Sequence, residues 1–115
     1  YRLAQDSELA AAARRAAIER ALHGAAAVPL RLAREATQLL SLVKLVVEGA
    51  ESQALADIGT AVHLAVAVIH PAALQVRAHA AAVTEIAVAR QWLDDIARLE
   101  QQASATAEAV QRPIP

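Results

Sequence analysis

The sequence lacks cysteine, methionine and phenylalanine, and it holds one tryptophan, one tyrosine and three glycines among 115 residues. Without cysteine, disulfides, thiolate nucleophiles and cysteine-based zinc sites are excluded. This absence fits a reducing compartment, so we expect a cytoplasmic location. The chain begins at Tyr1 rather than at methionine, and we therefore expect a further segment to precede it.

An excess of charge of one sign is also missing, because 11 basic residues are balanced by 12 acidic ones. The lysines and arginines form no block, which disfavours nucleic acid as a partner. The most apolar run, residues 61–69, is followed by His70 and Pro71 and is shorter than the about 20 residues of a membrane span. We expect neither nucleic acid nor a membrane as a partner.

Alanine supplies most of the 57% hydrophobic content. It has the highest helix propensity of any residue, but it buries little apolar area. A small alanine-rich domain is therefore short of core, and a partner surface can supply what is missing. We predict a homodimer, or pairing of this chain with its own N-terminal segment.

The spacing of apolar residues predicts helices throughout, because no stretch alternates with a period of two. Asp6 and Ser7 are good N-cap residues for the first helix. Pro29 is expected to kink that helix or to start a second one, since proline lacks a backbone donor. The predicted helices cover residues 8–27, 30–48, 54–82 and 84–111.

The third predicted helix organises the fold, because residues 61–69 leave no polar stripe on any side. A helix that is apolar all round lies in a core or in a membrane. We therefore predict an all-α, multihelical bundle around a buried central helix, with residues 1–115 forming a single domain.

Few side chains suggest chemistry. His63 and His70 are seven residues apart and could share a helix face, but no carboxylate lies at ligand spacing beside them. We therefore expect no metal site. Asp94 and Asp95 are neighbours in sequence, so they do not face each other on a helix. They indicate a solvated face, with Asp94 pairing with Arg98 at i,i+4.

Three polar residues on otherwise apolar helices leave two interpretations open. Asp57 lies in the first turn of the central helix, where a carboxylate either compensates the helix dipole or stands at the mouth of a pocket. Gln75 and Arg77 lie in an alanine- and valine-rich stretch. They are either polar core groups or pocket groups for an amide and an anionic tail.

Three segments together resemble the cyclodeaminase/cyclohydrolase family of folate enzymes. This family includes the cyclodeaminase domain of formiminotransferase-cyclodeaminase and the bacterial methenyltetrahydrofolate cyclohydrolases. AVPLRLAREA (residues 27–36) is similar to the family's A-x-VPL-x-x-A segment, and ADIGTAVHLAVA (residues 56–67) to its S-D-x-G-V-A helix start. PAALQVRAHA (residues 71–80) is similar to its G-A-A-L-N-V-R-I-N-L stretch.

The resemblance implies a dimeric helical bundle that binds a tetrahydrofolate derivative without a metal. The reaction it implies is attack of water on a methenyl carbon or loss of ammonia from a formimino group. It implies Asp57, Gln75 and Arg77 as substrate-binding residues. Tyr1 resembles the aromatic residue of a D-x-x-A-Y/F pattern, which would place the family's catalytic aspartate before this chain and leaves the catalytic residue unassigned here.

The departures from the family pattern define the alternative. The serine before the family's aspartate is Ala56 here, and two of its asparagines are Gln75 and His79. We therefore predict the C-terminal part of a cyclodeaminase- or cyclohydrolase-like domain. The competing hypothesis is a diverged, non-catalytic helical assembly or binding module with the same fold.

Overall fold

The structure, a computed structural model, describes residues 2–114 and contains three α-helices joined by short connections. Helix α1 spans Arg2–Val46 and is followed by a 3₁₀ turn at Val47–Gly49. Helix α2 spans Ser52–Ala82, and helix α3 spans Ile86–Gln111. No described residue lies in a β-strand. The prediction of an all-α fold is confirmed.

The molecule is a rod of 76 × 20 × 16 Å, because α1 extends past the other two helices. At 1.5 Å per residue, the 45 residues of α1 span about 68 Å and the 31 residues of α2 about 47 Å. The first buried residue of α1 is Ala26. Leu9 and Ile18 precede that residue and are exposed, although both are apolar.

Pro29 lies inside a continuous α1. The prediction that a second helix starts at Pro29 is therefore wrong. Proline in a helix interior costs about 3 kcal/mol, because it removes one backbone hydrogen bond and crowds the preceding turn. Burial compensates here, since Pro29 and Leu30 both lie in the core against the other helices. Pro71 likewise lies inside a continuous α2.

All three helices contact one another, and two apolar clusters form the core between them. The first cluster fills the end of the bundle where α1 finishes: Ala36, Leu40, Val47, Val62, Ala65, Ile69, Ala103, Ala107 and Val110. The second cluster lies nearer the connection between α2 and α3: Leu30, Ala33, Ala72, Ala73, Val76, Ile96 and Leu99. Alanine on all three helices lets the backbones approach closely.

The prediction that the central helix is buried all round needs correction. Val62 and Ile69 are buried, but Leu64 is 63% exposed. Only two neighbouring helices contact α2, and they cover one face of it. By length and composition alone α2 could also cross a membrane, and 17% of its most apolar window is buried. The core helix of a helical bundle meets the same two criteria, so this finding does not identify a membrane span.

Candidate functional site

A groove of 260 Å³ runs between α2 and α3, and its α2 side is lined by His63, Val66, Ile69 and His70. His63, His70 and Arg77 recur at seven-residue intervals on α2, which places them on one side of the helix. His63 and His70 line the groove together with Glu100 and Gln111 of α3. The groove therefore combines an apolar floor with imidazole, carboxylate and amide groups at its rim.

Glu100 is the centre of this polar row. Arg77 forms an ion pair with its Oε1, and Nδ1 of His70 lies 3.8 Å from its Oε2. Farther along, Nε2 of Gln111 lies 3.5 Å from Nε2 of His63. These contacts link α2 to α3, so the row contributes to packing as well as to the chemistry of the groove.

The three residues predicted to bind substrate do not meet within one chain. Asp57 and Gln75 are both exposed, and their separation of 18 residues is five helical turns, so they share one side of α2 about 27 Å apart. Arg77 follows Gln75 by two residues and so points to the opposite side, where it pairs with Glu100. Their roles in binding stay predictions.

Asp94 and Asp95 differ more than the sequence indicates. Asp95 is half-buried and accepts hydrogen bonds from Gln91 Nε2 at 2.9 Å and from Arg98 Nη2 at 3.2 Å. Arg34 of α1 reaches the same carboxylate at 3.5 Å. Arg98 thus pairs with Asp95 at i,i+3 and not with Asp94 at i,i+4, as was predicted. The same Asp95 also receives a second arginine, Arg34, from 61 residues away on α1.

Two apolar stripes remain uncovered on α1 and α2, and both repeat every 3.5 residues. The α1 seam consists of exposed residues at alternating spacings of three, four and seven: Val28, Leu32, Leu39, Leu42 and Val46. The α2 seam consists of exposed residues at alternating spacings of three and four: Leu64, Ala67, Pro71, Leu74, Ala78 and Ala81. Such a period is typical of a helix face that packs against another helix. Among residues 2–114, no ion pair or side-chain hydrogen bond to α3 involves a seam residue.

The family model described as formiminotransferase-cyclodeaminase matches residues 1–112. The chain belongs to the formiminotransferase-cyclodeaminase family. The match confirms the resemblance drawn from residues 27–36, 56–67 and 71–80 and extends it through α3. No curated protein matches the chain.

At the family level, membership of the formiminotransferase-cyclodeaminase family indicates folate-dependent one-carbon metabolism. The resemblance of Tyr1 to the aromatic residue of the family's D-x-x-A-Y/F pattern lies outside the described residues. Within them, Asp57 and Arg77 stand at positions that resemble the family motifs, Gln75 stands where those motifs carry asparagine, and all three are exposed on α2.

Sequence reasoning weighed a metal at His63 and His70, which line the α2–α3 groove with Glu100 and Glu108. Of these two carboxylates, Glu100 lies 3.8 Å from His70. A different group lies at the start of α3. Glu19, His23 and Glu85 each bring one potential ligand atom to within 4.8 Å of the others. A helical spacing of four residues between Glu19 and His23 was the one local signal of this group, and its third member comes from another helix.

Proposed function

We propose that the chain acts in folate-dependent one-carbon metabolism, as part of a cyclodeaminase or a methenyltetrahydrofolate cyclohydrolase in the cytoplasm. The observation that carries this proposal is the family match over residues 1–112. The substrate would be a tetrahydrofolate derivative, and no metal is invoked in the reaction.

A homodimer is the second part of the proposal. The α1 seam and the α2 seam leave large aliphatic side chains in solvent, and small domains with little core gain stability by covering such surfaces. Leu64 and Leu74 are the largest members of the α2 seam, and the smaller Ala67 and Pro71 lie between them. Large side chains separated by smaller ones suit interdigitation with an identical helix, as a twofold interface requires.

A twofold arrangement would also bring two of the three predicted binding residues together. Asp57 and Gln75 lie nine residues before and nine residues after Val66. In two α2 helices packed antiparallel around the level of Val66, Asp57 of one copy lies opposite Gln75 of the second copy. Two equivalent ligand sites would form, each with a carboxylate from one copy and an amide from the other.

Arg77 is the cationic group available for the anionic glutamate tail of a folate. Its guanidinium is already paired with Glu100, so a ligand carboxylate would share or replace that partner. Planar guanidinium groups bind carboxylates through two parallel hydrogen bonds, which suits either partner. Binding at Arg77 would therefore couple the ligand to the contact between α2 and α3.

Binding of methenyltetrahydrofolate to the full chain tests the assignment. Asp57→Ala and Arg77→Ala should each weaken binding by at least about tenfold, the loss typical of a hydrogen-bonded charged group. Asp94→Ala removes an exposed carboxylate of α3 and should leave affinity unchanged. Unchanged affinity in both site variants, with helical circular dichroism intact, would remove these residues from the site.

Mixing variants tests whether each site needs two copies. Asp57→Ala and Gln75→Ala homodimers should both bind weakly, but a heterodimer of the two retains one site with both residues intact. Random exchange of subunits should therefore restore about a quarter of the sites. A site built within one chain predicts no recovery on mixing, so this result separates the shared site from the folate assignment.

The alternative function is a non-catalytic helical assembly or binding module, favoured by Ala56, Gln75 and His79 at positions where the resembled family carries serine or asparagine. A spectrophotometric assay of methenyl absorbance separates the two. Binding of the folate with loss of absorbance supports an enzyme. Binding without turnover supports the module, and absence of binding by the dimer contradicts the folate proposal itself.

A further inference from the structure

A cluster of potential metal ligands lies where α1 meets the beginning of α3, away from the predicted folate-binding residues. Glu19 and His23 are four residues apart on α1 and therefore share a face, and Glu85 immediately precedes α3. One ligand atom of each residue lies within 4.8 Å of the others. His23 Nε2 and Glu85 Oε1 are 3.6 Å apart, too far for a hydrogen bond.

Two ligand atoms of this cluster are sealed from solvent and lack any hydrogen-bond partner, namely Oε2 of Glu19 and Nε2 of His23. Buried polar atoms in native proteins are nearly always satisfied by protein, water or an ion. The unsatisfied carboxylate oxygen of Glu19 and imidazole nitrogen of His23 therefore indicate a missing group that contacts both atoms. A cation supplies it, because both atoms carry lone pairs.

The surrounding contacts orient the two side chains. The other oxygen of Glu19 accepts a hydrogen bond from the backbone N–H of Thr84 at 2.9 Å. The ring of His23 packs edge-on against Trp92, with ring centroids 5.4 Å apart and planes inclined by 73°. Both groups are thus held in place by contacts that do not use the sealed atoms.

Charge favours a divalent cation at this place. Two carboxylates and a neutral imidazole give a formal charge of −2. Arg20 lines the same pocket, but it is exposed, and no ion pair between it and either carboxylate occurs among the described residues. Among the described residues, no lysine or arginine therefore neutralises the carboxylates of Glu19 and Glu85, and His23 is the one basic side chain in contact with them.

We propose that Glu19, His23 and Glu85 bind a divalent transition-metal ion of the Zn²⁺ class, with a water molecule completing the coordination. Zn–N and Zn–O bonds of 2.0–2.2 Å in a tetrahedron separate the ligand atoms by about 3.4 Å. The 3.6 Å between His23 Nε2 and Glu85 Oε1 is close to this value. The other ligand atoms lie within 4.8 Å of one another, and small side-chain rotations on binding would bring them to coordination distance.

Such an ion would join α1 to the start of α3. Glu19 and His23 precede Ala26, the first buried residue of α1, so the ion would hold α1 where its covered part begins. Small domains with a limited hydrophobic core commonly gain stability from a structural metal. The proposed role is therefore a structural clamp.

Thermal unfolding and metal titration of the full chain test the proposal, with ZnCl₂ as the probe and EDTA-treated protein as the reference. One Zn²⁺ should bind per chain and raise Tm by several degrees when free Zn²⁺ exceeds Kd about a hundredfold. Ca²⁺, which takes oxygen ligands, should give no comparable shift, because one of the three ligands is nitrogen.

His23→Gln and Glu85→Gln should each weaken Zn²⁺ binding at least about tenfold while leaving the Tm in EDTA within a few degrees of the parent. His70→Gln is the matched control. It removes the imidazole from the other histidine–glutamate pair, where Arg77 already occupies Glu100, and it should bind Zn²⁺ like the parent.

Three results would overturn the proposal. One is the absence of Zn²⁺ binding by the parent chain. Another is equal Zn²⁺ affinity in His23→Gln and the parent, and the third is loss of binding in His70→Gln, which would place the ion in the α2–α3 groove. Glu85→Gln guards against a folding defect, since its side chain is exposed and its loss leaves the core untouched.

Discussion

The two opposite faces of α2 are made of the same kinds of residue, yet the fold covers one and leaves the other open. The covered face presents Val62, Ile69 and Val76 at seven-residue spacing to α1 and α3. The open face presents Leu64 and Leu74, ten residues apart, to solvent. Apolarity alone therefore does not determine burial, because the number of neighbouring helices limits how much of α2 they can cover.

The exposed apolar residues on the open face of α2 form a continuous row, which distinguishes them from scattered surface leucines. Single exposed apolar residues are normal on proteins, whereas a continuous row with helical periodicity marks an interaction surface. The α1 seam repeats the pattern on the neighbouring helix. Both seams are therefore the natural place for the second copy proposed above.

The largest expected difference between the two faces follows from a charge placed on each. Ile69→Asp puts a carboxylate at a position that is 2% exposed and belongs to the first core cluster. The cost should exceed about 4 kcal/mol and unfold the chain. Leu74→Asp puts the same group in solvent, and the helical circular dichroism at the same protein concentration should persist.

Equal loss of helix in both variants would contradict a fold that is complete within one chain. It would mean that the open face of α2 is buried in every folded molecule. Persistence of helix in Ile69→Asp would contradict the covered face as described.

Smaller side-chain truncations on α1 should reproduce the contrast at a lower level. Leu40→Ala removes a side chain that is 0% exposed from the first core cluster, and it should cost about 2–5 kcal/mol in unfolding free energy. Leu45→Ala removes a side chain that is 80% exposed and outside the α1 seam, and it should change stability by no more than about 0.5 kcal/mol. Urea unfolding with a common slope measures both, and comparable costs would refute the assigned burial.

Self-association tests the open face directly. Light scattering at micromolar concentration should give twice the mass of the chain for the parent. Leu74→Asp should raise the dimer dissociation constant at least about a hundredfold, or about 2.7 kcal/mol, because it places two charges in an apolar twofold contact. Leu45→Asp is the matched control outside the seams and should stay dimeric. A stable, folded monomer of the parent chain would contradict the predicted homodimer.

The buried face of α3 can be predicted from the sequence pattern, whereas the buried face of α2 cannot. On α3, Ile96, Leu99 and Ala103 alternate with polar residues, so the 3.6-residue period marks one side, and all three are buried. On α2, residues 61–69 satisfy that period on every side. Which side is covered then depends on where α1 and α3 lie, and local pattern carries no information about that.

Tertiary contacts explain the other differences. Pro29 violates the local rule that excludes proline from helix interiors, and its burial offsets the cost. Asp95 gains Arg34 from another helix, and Glu85 meets Glu19 and His23 only because α3 begins beside α1. Spacing along the chain finds pairs within one helix. Groups assembled from two helices need the fold, and this holds for the candidate sites as well as for the core.

The smallest expected effect concerns two arginines on α1 that differ in how sheltered their partners are. Arg31 pairs with Glu35 one turn away at 3.0 Å, and both side chains are exposed. Such i,i+4 pairs contribute about 0.2–0.5 kcal/mol, and salt screens them. Arg34 reaches Asp95, which is half-buried against α1 and lies on another helix. Its loss should cost more, about 0.5–1 kcal/mol, because the carboxylate is less well hydrated, although Arg98 and Gln91 continue to hold it.

Urea unfolding of Arg31→Ala and Arg34→Ala at low and at 1 M salt measures both the size and the screening of these contributions. The Arg31→Ala effect should vanish at 1 M salt, since the Debye length there is about 3 Å. Part of the Arg34→Ala effect should remain, because packing of α1 beside Asp95 keeps ions and water from the carboxylate. Equal costs of Arg31→Ala and Arg34→Ala, with equal salt dependence, would mean that the edge of α1 facing α3 is as open to solvent as its outer edge. The distinction between covered and open faces would then not extend to charged pairs.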